Sequence, residues 1–179
     1  MTPRLSSPRR RPLLALAAAT AVFALSLAPA AHAQSAPAPE PTITVRGDVP
    51  TPLVLTAADL AAMPHTTVTA TDHGVTRTYR GVWVADVLAK AGFVLGPAAR
   101  RNSLSGYVLA RATDGYQVLF SIGELDPAIS DGQVLLADTA DDQPLSGEQG
   151  RFRLVLPKDK RGARSMRLLA SLDVVLLIK

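Results

Sequence analysis

Two short turns commit this chain to antiparallel β pairing. Asp72-His73-Gly74 separates an alternating, β-branched run over 66–71 from a second over 75–80, and Thr113-Asp114-Gly115 separates 107–112 from 116–120. A tight turn of this composition supplies the backbone freedom a hairpin needs, and period-two alternation gives each arm one face to bury. Further strands are expected at Ile43–Gly47, Leu53–Leu55, 132–137, 153–156 and 172–178. The run over 132–137 is nearly all apolar, as in a strand central to a sheet. Thr56-Ala57-Ala58-Asp59 has the Thr-x-x-acid form of a helix start, with Leu60 and Met63 facing inward and Pro64 ending the helix. A second helix is expected over 83–91, where Val84, Val87, Leu88 and Ala91 recur at core spacing and Gly92 provides the C-terminal cap. The fold class that follows is α+β, mostly β: a mixed sheet with two or three short helices.

The first 33 residues read as a leader. Arg4, Arg9, Arg10 and Arg11 precede an apolar run over 13–27, and Ala31-His32-Ala33 has the small-x-small cleavage form of a secretory signal peptide. That run falls short of the roughly 20 residues of a membrane span, so no span is expected after cleavage. Arg10-Arg11-Pro12-Leu13-Leu14 has part of the twin-arginine pattern, which leaves the export route open between twin-arginine and general secretion. The expected location is the periplasm or the exterior. Residues 34–41, QSAPAPEP, form a Pro/Ala linker, and 42–179 form one domain by size. Four of the 19 Lys+Arg lie before residue 34 and none of the 15 Asp+Glu do, so the remainder carries 15 of each. The basic pI therefore points to no nucleic acid, and no aromatic stacking platform supports one either. With no cysteine in the chain, disulfides and thiolate chemistry are both excluded.

Basicity is local instead. After Pro157 come Lys158, Lys160, Arg161, Arg164 and Arg167, with Gly162 among them, free to adopt φ > 0 and present backbone N–H groups. Such a loop suits a phosphate or another small oxyanion; composition alone favours a solvated basic loop. Other chemistry is sparse. His65, after Pro64, reads as an exposed spacer, and His73 as a turn residue. Asp138, Asp141 and Asp142 read as a solvated turn, without the spacing of a calcium loop. No nucleophile motif is present, and Trp83 is explained by packing.

Taken in order, several segments resemble the molybdopterin-binding oxidoreductase domain family, the sulfite oxidase fold. They are ITVRGDVPTPLVLTAADLAAMP, YRGVWVADVLAKAGF, DGYQVLFSIGEL, VLLADTADDQPLSGEQGRFRLVLP and KDKRGARSMRLLASLDVV, and they cover nearly all of the chain after the linker. The resemblance implies molybdopterin (the molybdenum cofactor) as ligand, with its pterin phosphate near the last segment. Gly162, Arg164 and Arg167 fall on the family motif, Arg167 standing where a Lys is usual; Lys158, Lys160 and Arg161 share the loop. The family's molybdenum-ligating cysteine would lie after 66–71, where this chain has Asp72 and His73. Gln149-Gly150 replaces a His-Gly element, Leu168 a Trp, and no counterpart of the C-terminal dimerisation domain follows.

Three functions are compatible with this pattern. The first is an exported module binding a pterin cofactor or small anion at the 158–167 loop and the Asp72-His73 turn. The second is a divergent molybdenum-dependent redox enzyme with Asp72 or His73 at the metal and a redox partner protein. The third is a cofactor-less adaptor that would expose an apolar patch where relatives hold the pterin.

Overall fold

The parallel pairing of β1 (Ile43–Gly47) with β10 (Leu169–Leu176) places the first and last strands side by side in the middle of a sheet. This computed structural model describes residues 40–72, 74–99 and 103–178, without the Asp72 side chain. The leader, most of the linker and His73 lie outside the described residues. The remaining strands are β2 (Leu53–Leu55), β3 (Thr66–Asp72), β4 (Val75–Trp83), β5 (Gly106–Ala112), β6 (Gln117–Ser121), β7 (Leu135–Ala140), β8 (Gln143–Pro144) and β9 (Arg153–Val155). They form one sheet in the order β2-β1-β10-β5-β6 and a second in the order β3-β4-β7-β8, with β9 also on β7. The first sheet is mixed; every pair in the second is antiparallel. The mostly-β, α+β expectation holds, with two sheets where one was expected. Both hairpins form, as β3–β4 and β5–β6.

Among the described residues three short α-helices join the strands: α1 (Ala57–Ala61), α2 (Val84–Lys90) and α3 (Ile122–Leu125). Thr56 caps α1 through a reciprocal box with Asp59, as the Thr-x-x-Asp spacing predicts. Ser121 and Glu124 form the same box at α3, a helix missing from the periodicity because it is only one turn long. Val87 and Leu88 of α2 pack with Ile43, Val45, Val108, Phe120 and Leu172 of the first sheet. Val82, Leu136 and Leu154 of the second sheet join this core, while Tyr79, Leu135, Ala137 and Val155 face a smaller cluster on the other side. Apolar residues on both faces explain why the β7 region lacks alternation.

β7 begins three residues later than the apolar run and extends through Asp138. Thr139 pairs with Arg80 and Ala137 with Gly81, so Asp138 is the extra residue of a bulge. Asp138 is buried, which corrects its assignment to a solvated turn. That turn is made by Asp141 and Asp142 alone, at φ 49° and 60°, the two left-handed residues of a tight β7–β8 hairpin.

Asp173 on β10 clamps the first sheet. It accepts hydrogen bonds from Arg46 Nε on β1 at 2.6 Å and from Arg111 Nε on β5 at 2.8 Å. Partial burial pushes its carboxyl upward, but the hydrogen bonds and charges of the two arginines outweigh this and hold it below the usual carboxylate range. Its folded pKa is thus below the unfolded value of about 3.9, so its contribution is complete above that pH and is lost as pH falls through the folded value. Urea midpoints should therefore fall on acidification below about pH 4, and Asp173→Asn should flatten that limb. An unchanged slope in the variant would refute the clamp.

Candidate functional site

Strand β9 stops at Val155, and Pro157 turns the chain into the basic loop. The loop is braced from several sides. Arg164 donates from Nε and Nη2 to the two oxygens of Asp159, at 2.9 and 2.8 Å, and from Nη1 to Glu124 at 2.6 Å. Its guanidinium also lies 5.7 Å from the centroid of the Phe120 ring. Tyr116 donates its hydroxyl to the Ala163 carbonyl at 2.8 Å, and the Leu156 amide donates to Ser165 Oγ at 3.1 Å. Met166 is buried beneath the loop. Partial burial pushes the Glu124 carboxyl up, while the Arg164 and Ser121 hydrogen bonds outweigh it and leave it lowered. Arg164 is held above its usual range, first by its bond to Asp159.

The braced loop forms one wall of a cleft of ≈ 1090 Å³. Lys160, Arg161, Gly162 and Arg167 line it, with Arg153 and Gln149 at the base of β9 and Asp114 and Tyr116 from the β5–β6 turn. Gly162 lies in a 3₁₀ turn, Gly162–Arg164, so the left-handed conformation open to it is not used. Arg164 and Lys158 are not on the lining: Arg164 serves as the brace, and Lys158 Nζ lies 3.9 Å from Asp131. Thr71 and Gly74 line the cleft and bracket Asp72 and His73 in sequence. The side chains of those two residues lie outside the described set.

Arg153 adds a residue outside the set expected from the sequence. It is 4% exposed, yet it lines the cleft. Its Nη1 donates to Gln149 Oε1 at 2.6 Å and to Tyr79 Oη at 3.1 Å, and its guanidinium sits 4.8 Å from the Tyr79 ring centroid. These contacts fix a planar cation at the base of the cleft. The available signal was a lone arginine inside the apolar run Phe152-Arg153-Leu154-Val155-Leu156.

The lining carries four cations, Arg153, Lys160, Arg161 and Arg167, against two carboxylates, Asp114 and Asp159. Asp159 is already bound by Arg164. The arrangement suits an oxyanion held by charge-assisted hydrogen bonds. The volume, just above the ~300–1,000 Å³ range of small-molecule sites, leaves room for a larger group attached to that anion. A basic cleft also differs from the apolar patch expected of an adaptor. Among the described residues no group of three or more His, Cys, Asp or Glu side chains is placed to hold a metal, and no helix is long and apolar enough to cross a membrane.

His65 is not an exposed spacer. Its ring and the Asp138 carboxylate are 7% and 9% exposed and lie 3.0 Å apart, beside a second, smaller cleft. The bulge at Asp138 brings the pair together.

Residues 32–176 match the sequence model of the oxidoreductase molybdopterin binding domain. No curated protein matches the chain. Among solved structures, the sulfane dehydrogenase SoxCD from Paracoccus pantotrophus superposes with a TM-score of 0.59 at 22% identity, over 75% of this chain. The chain spans 38% of that larger chain, and the likeness is one of fold.

Proposed function

Because this chain belongs to the oxidoreductase molybdopterin-binding domain family, we propose that it is an exported module holding a pterin-type cofactor, or another phosphate-bearing anion of similar size. The observation that carries this reading is the cleft, where Lys160, Arg161, Gly162 and Arg167 face a fixed Arg153. Lys160, Arg161, Arg167 and, at the base of the cleft, Arg153 are the phosphate contacts, and Arg164 acts through the loop it braces. The donor set fits the anionic end of the cofactor and not its metal. A molybdenum site of the family type needs a soft thiolate, and this chain has no cysteine. No oxygen-atom transfer is assigned to it.

A second reading keeps the metal, with Asp72 or His73 as a hard or borderline ligand and a redox partner protein taking the electrons. It is favoured by Thr71 and Gly74 lining the same cleft on either side of that pair. In both readings the leader directs export and is cleaved after Ala33. The family match begins beside that position, at residue 32.

Protein isolated from its native periplasm should have an intact mass beginning at Gln34. It should release a phosphate-bearing pterin on oxidation and contain far less than one molybdenum per chain. The Lys160→Ala, Arg161→Ala double variant should lower affinity for inorganic phosphate about tenfold, or ~1.4 kcal/mol, by calorimetry. Absence of both pterin and phosphate affinity would refute the binding module. One molybdenum per chain, lost in Asp72→Ala or His73→Ala, would establish the second reading instead.

A further inference from the structure

The smaller cleft, ≈ 170 Å³, is separate from the basic loop and is used by neither reading above. It opens beside Ala57 and Ala61 of α1, whose short side chains leave the space, and His65, Arg80, Asp138, Thr139 and Arg151 supply its polar lining.

Hydrogen-bond valence determines its charge. His65 Nδ1 lies 2.8 Å from the Met63 carbonyl oxygen, which can only accept, so Nδ1 carries a proton. His65 Nε2 lies 3.0 Å from Asp138 Oδ2, and that bond requires a second proton between them. Whichever partner holds it, the His65–Asp138 pair is neutral overall. The other carboxylate oxygen accepts from the Thr139 hydroxyl at 2.8 Å. The pair as a whole therefore offers no net negative charge to the arginines beside it. Arg151 donates only a long bond, 3.4 Å, to the Asp138 carbonyl. Among the described residues the Arg80 side chain makes no hydrogen bond or ion pair, its backbone alone being paired in the β3–β4–β7 ladder.

We propose that this cleft is a second anion site, taking a free oxyanion of a few heavy atoms between Arg80 and Arg151. Sulfate, phosphate and a short carboxylate share the required chemistry. The volume lies below the ~300 Å³ lower end of sites for drug-sized ligands, which excludes a bulky ligand. The two guanidinium groups provide forked donors matched to oxyanion geometry. The β7 bulge contributes by turning Asp138 onto His65, where its charge is cancelled. The site stands independently of any cofactor in the larger cleft.

The test is titration of the full chain with sodium sulfate, inorganic phosphate and acetate at constant ionic strength, followed by amide NMR. Saturable shifts at Thr139 and Arg80 are expected for at least one of the three, and the ion that saturates first identifies the preferred geometry. Arg80→Gln with Arg151→Gln should weaken that binding at least tenfold while phosphate shifts at Gly162 and Ala163 persist. Arg80→Gln alone gives the same readout if the double variant fails to fold. No saturable shift at Thr139, or one that survives loss of the arginines, would overturn the proposal.

Discussion

Gly81→Ala should be among the most damaging single-methyl changes in the domain, with a loss of about 3 kcal/mol or more from overpacking against backbone. A Cβ at this position would lie 2.1 Å from the Leu136 carbonyl oxygen and 2.6 Å from the Ala137 Cα. Both obstacles are backbone atoms of β7, so no side chain can rotate away. The ladder must open where the bulge begins, and the His65–Asp138 pair loses its alignment with it. Gly123 in α3 is the control, since a Cβ there meets nothing within 4 Å. Gly123→Ala should be neutral or stabilising by ~0.5–1 kcal/mol through helix propensity. Equal urea midpoints for the two variants would contradict the close approach of β4 to β7.

Arg153→Met should abolish most anion binding in the large cleft while leaving the fold intact. Hydrogen bonds to charged groups contribute ~1.5–3 kcal/mol, so affinity for inorganic phosphate should fall about 10- to 150-fold. Folding should also weaken, by about 1–3 kcal/mol, because methionine leaves the Gln149, Tyr79 and Ser165 oxygens without their donor. Arg153→Lys keeps the charge but not the planar fork held by Gln149 and Tyr79, so it should recover only part of the affinity. Calorimetry and urea denaturation on the same samples separate the two effects. Phosphate affinity within twofold of the parent in Arg153→Met would remove this residue from the site.

Much of this architecture is legible locally. The hairpins, the Thr56 cap and the α2 face depend on residues a few positions apart. The basic loop is recognisable from its composition, and four of the six residues expected to form a site there, Lys160, Arg161, Gly162 and Arg167, line the cleft. The rest depends on partners distant in sequence. Arg164 follows the loop motif but is drawn away by Glu124, 40 positions earlier. Asp138 resembles a turn residue until His65, 73 positions away, buries it. Arg153 stood out only as a charge inside an apolar strand, and its meaning depends on Tyr79 and Gln149. The Ser121–Glu124 box was readable, but its helix is too short to show periodicity.

The parallel pairing of β1 with β10 also sets the timing of folding. Thr44 lies opposite Ser171 and Gly47 opposite Val174, so the central ladder of the first sheet joins opposite ends of the domain. That ladder cannot form until the last strand has been made, and β5 also lacks its β10 neighbour until then. Contacts of such long sequence separation slow folding, because chain closure costs entropy before the contact stabilises anything. An incomplete chain therefore remains open at its centre, and the sheet closes only with the arrival of its final strand.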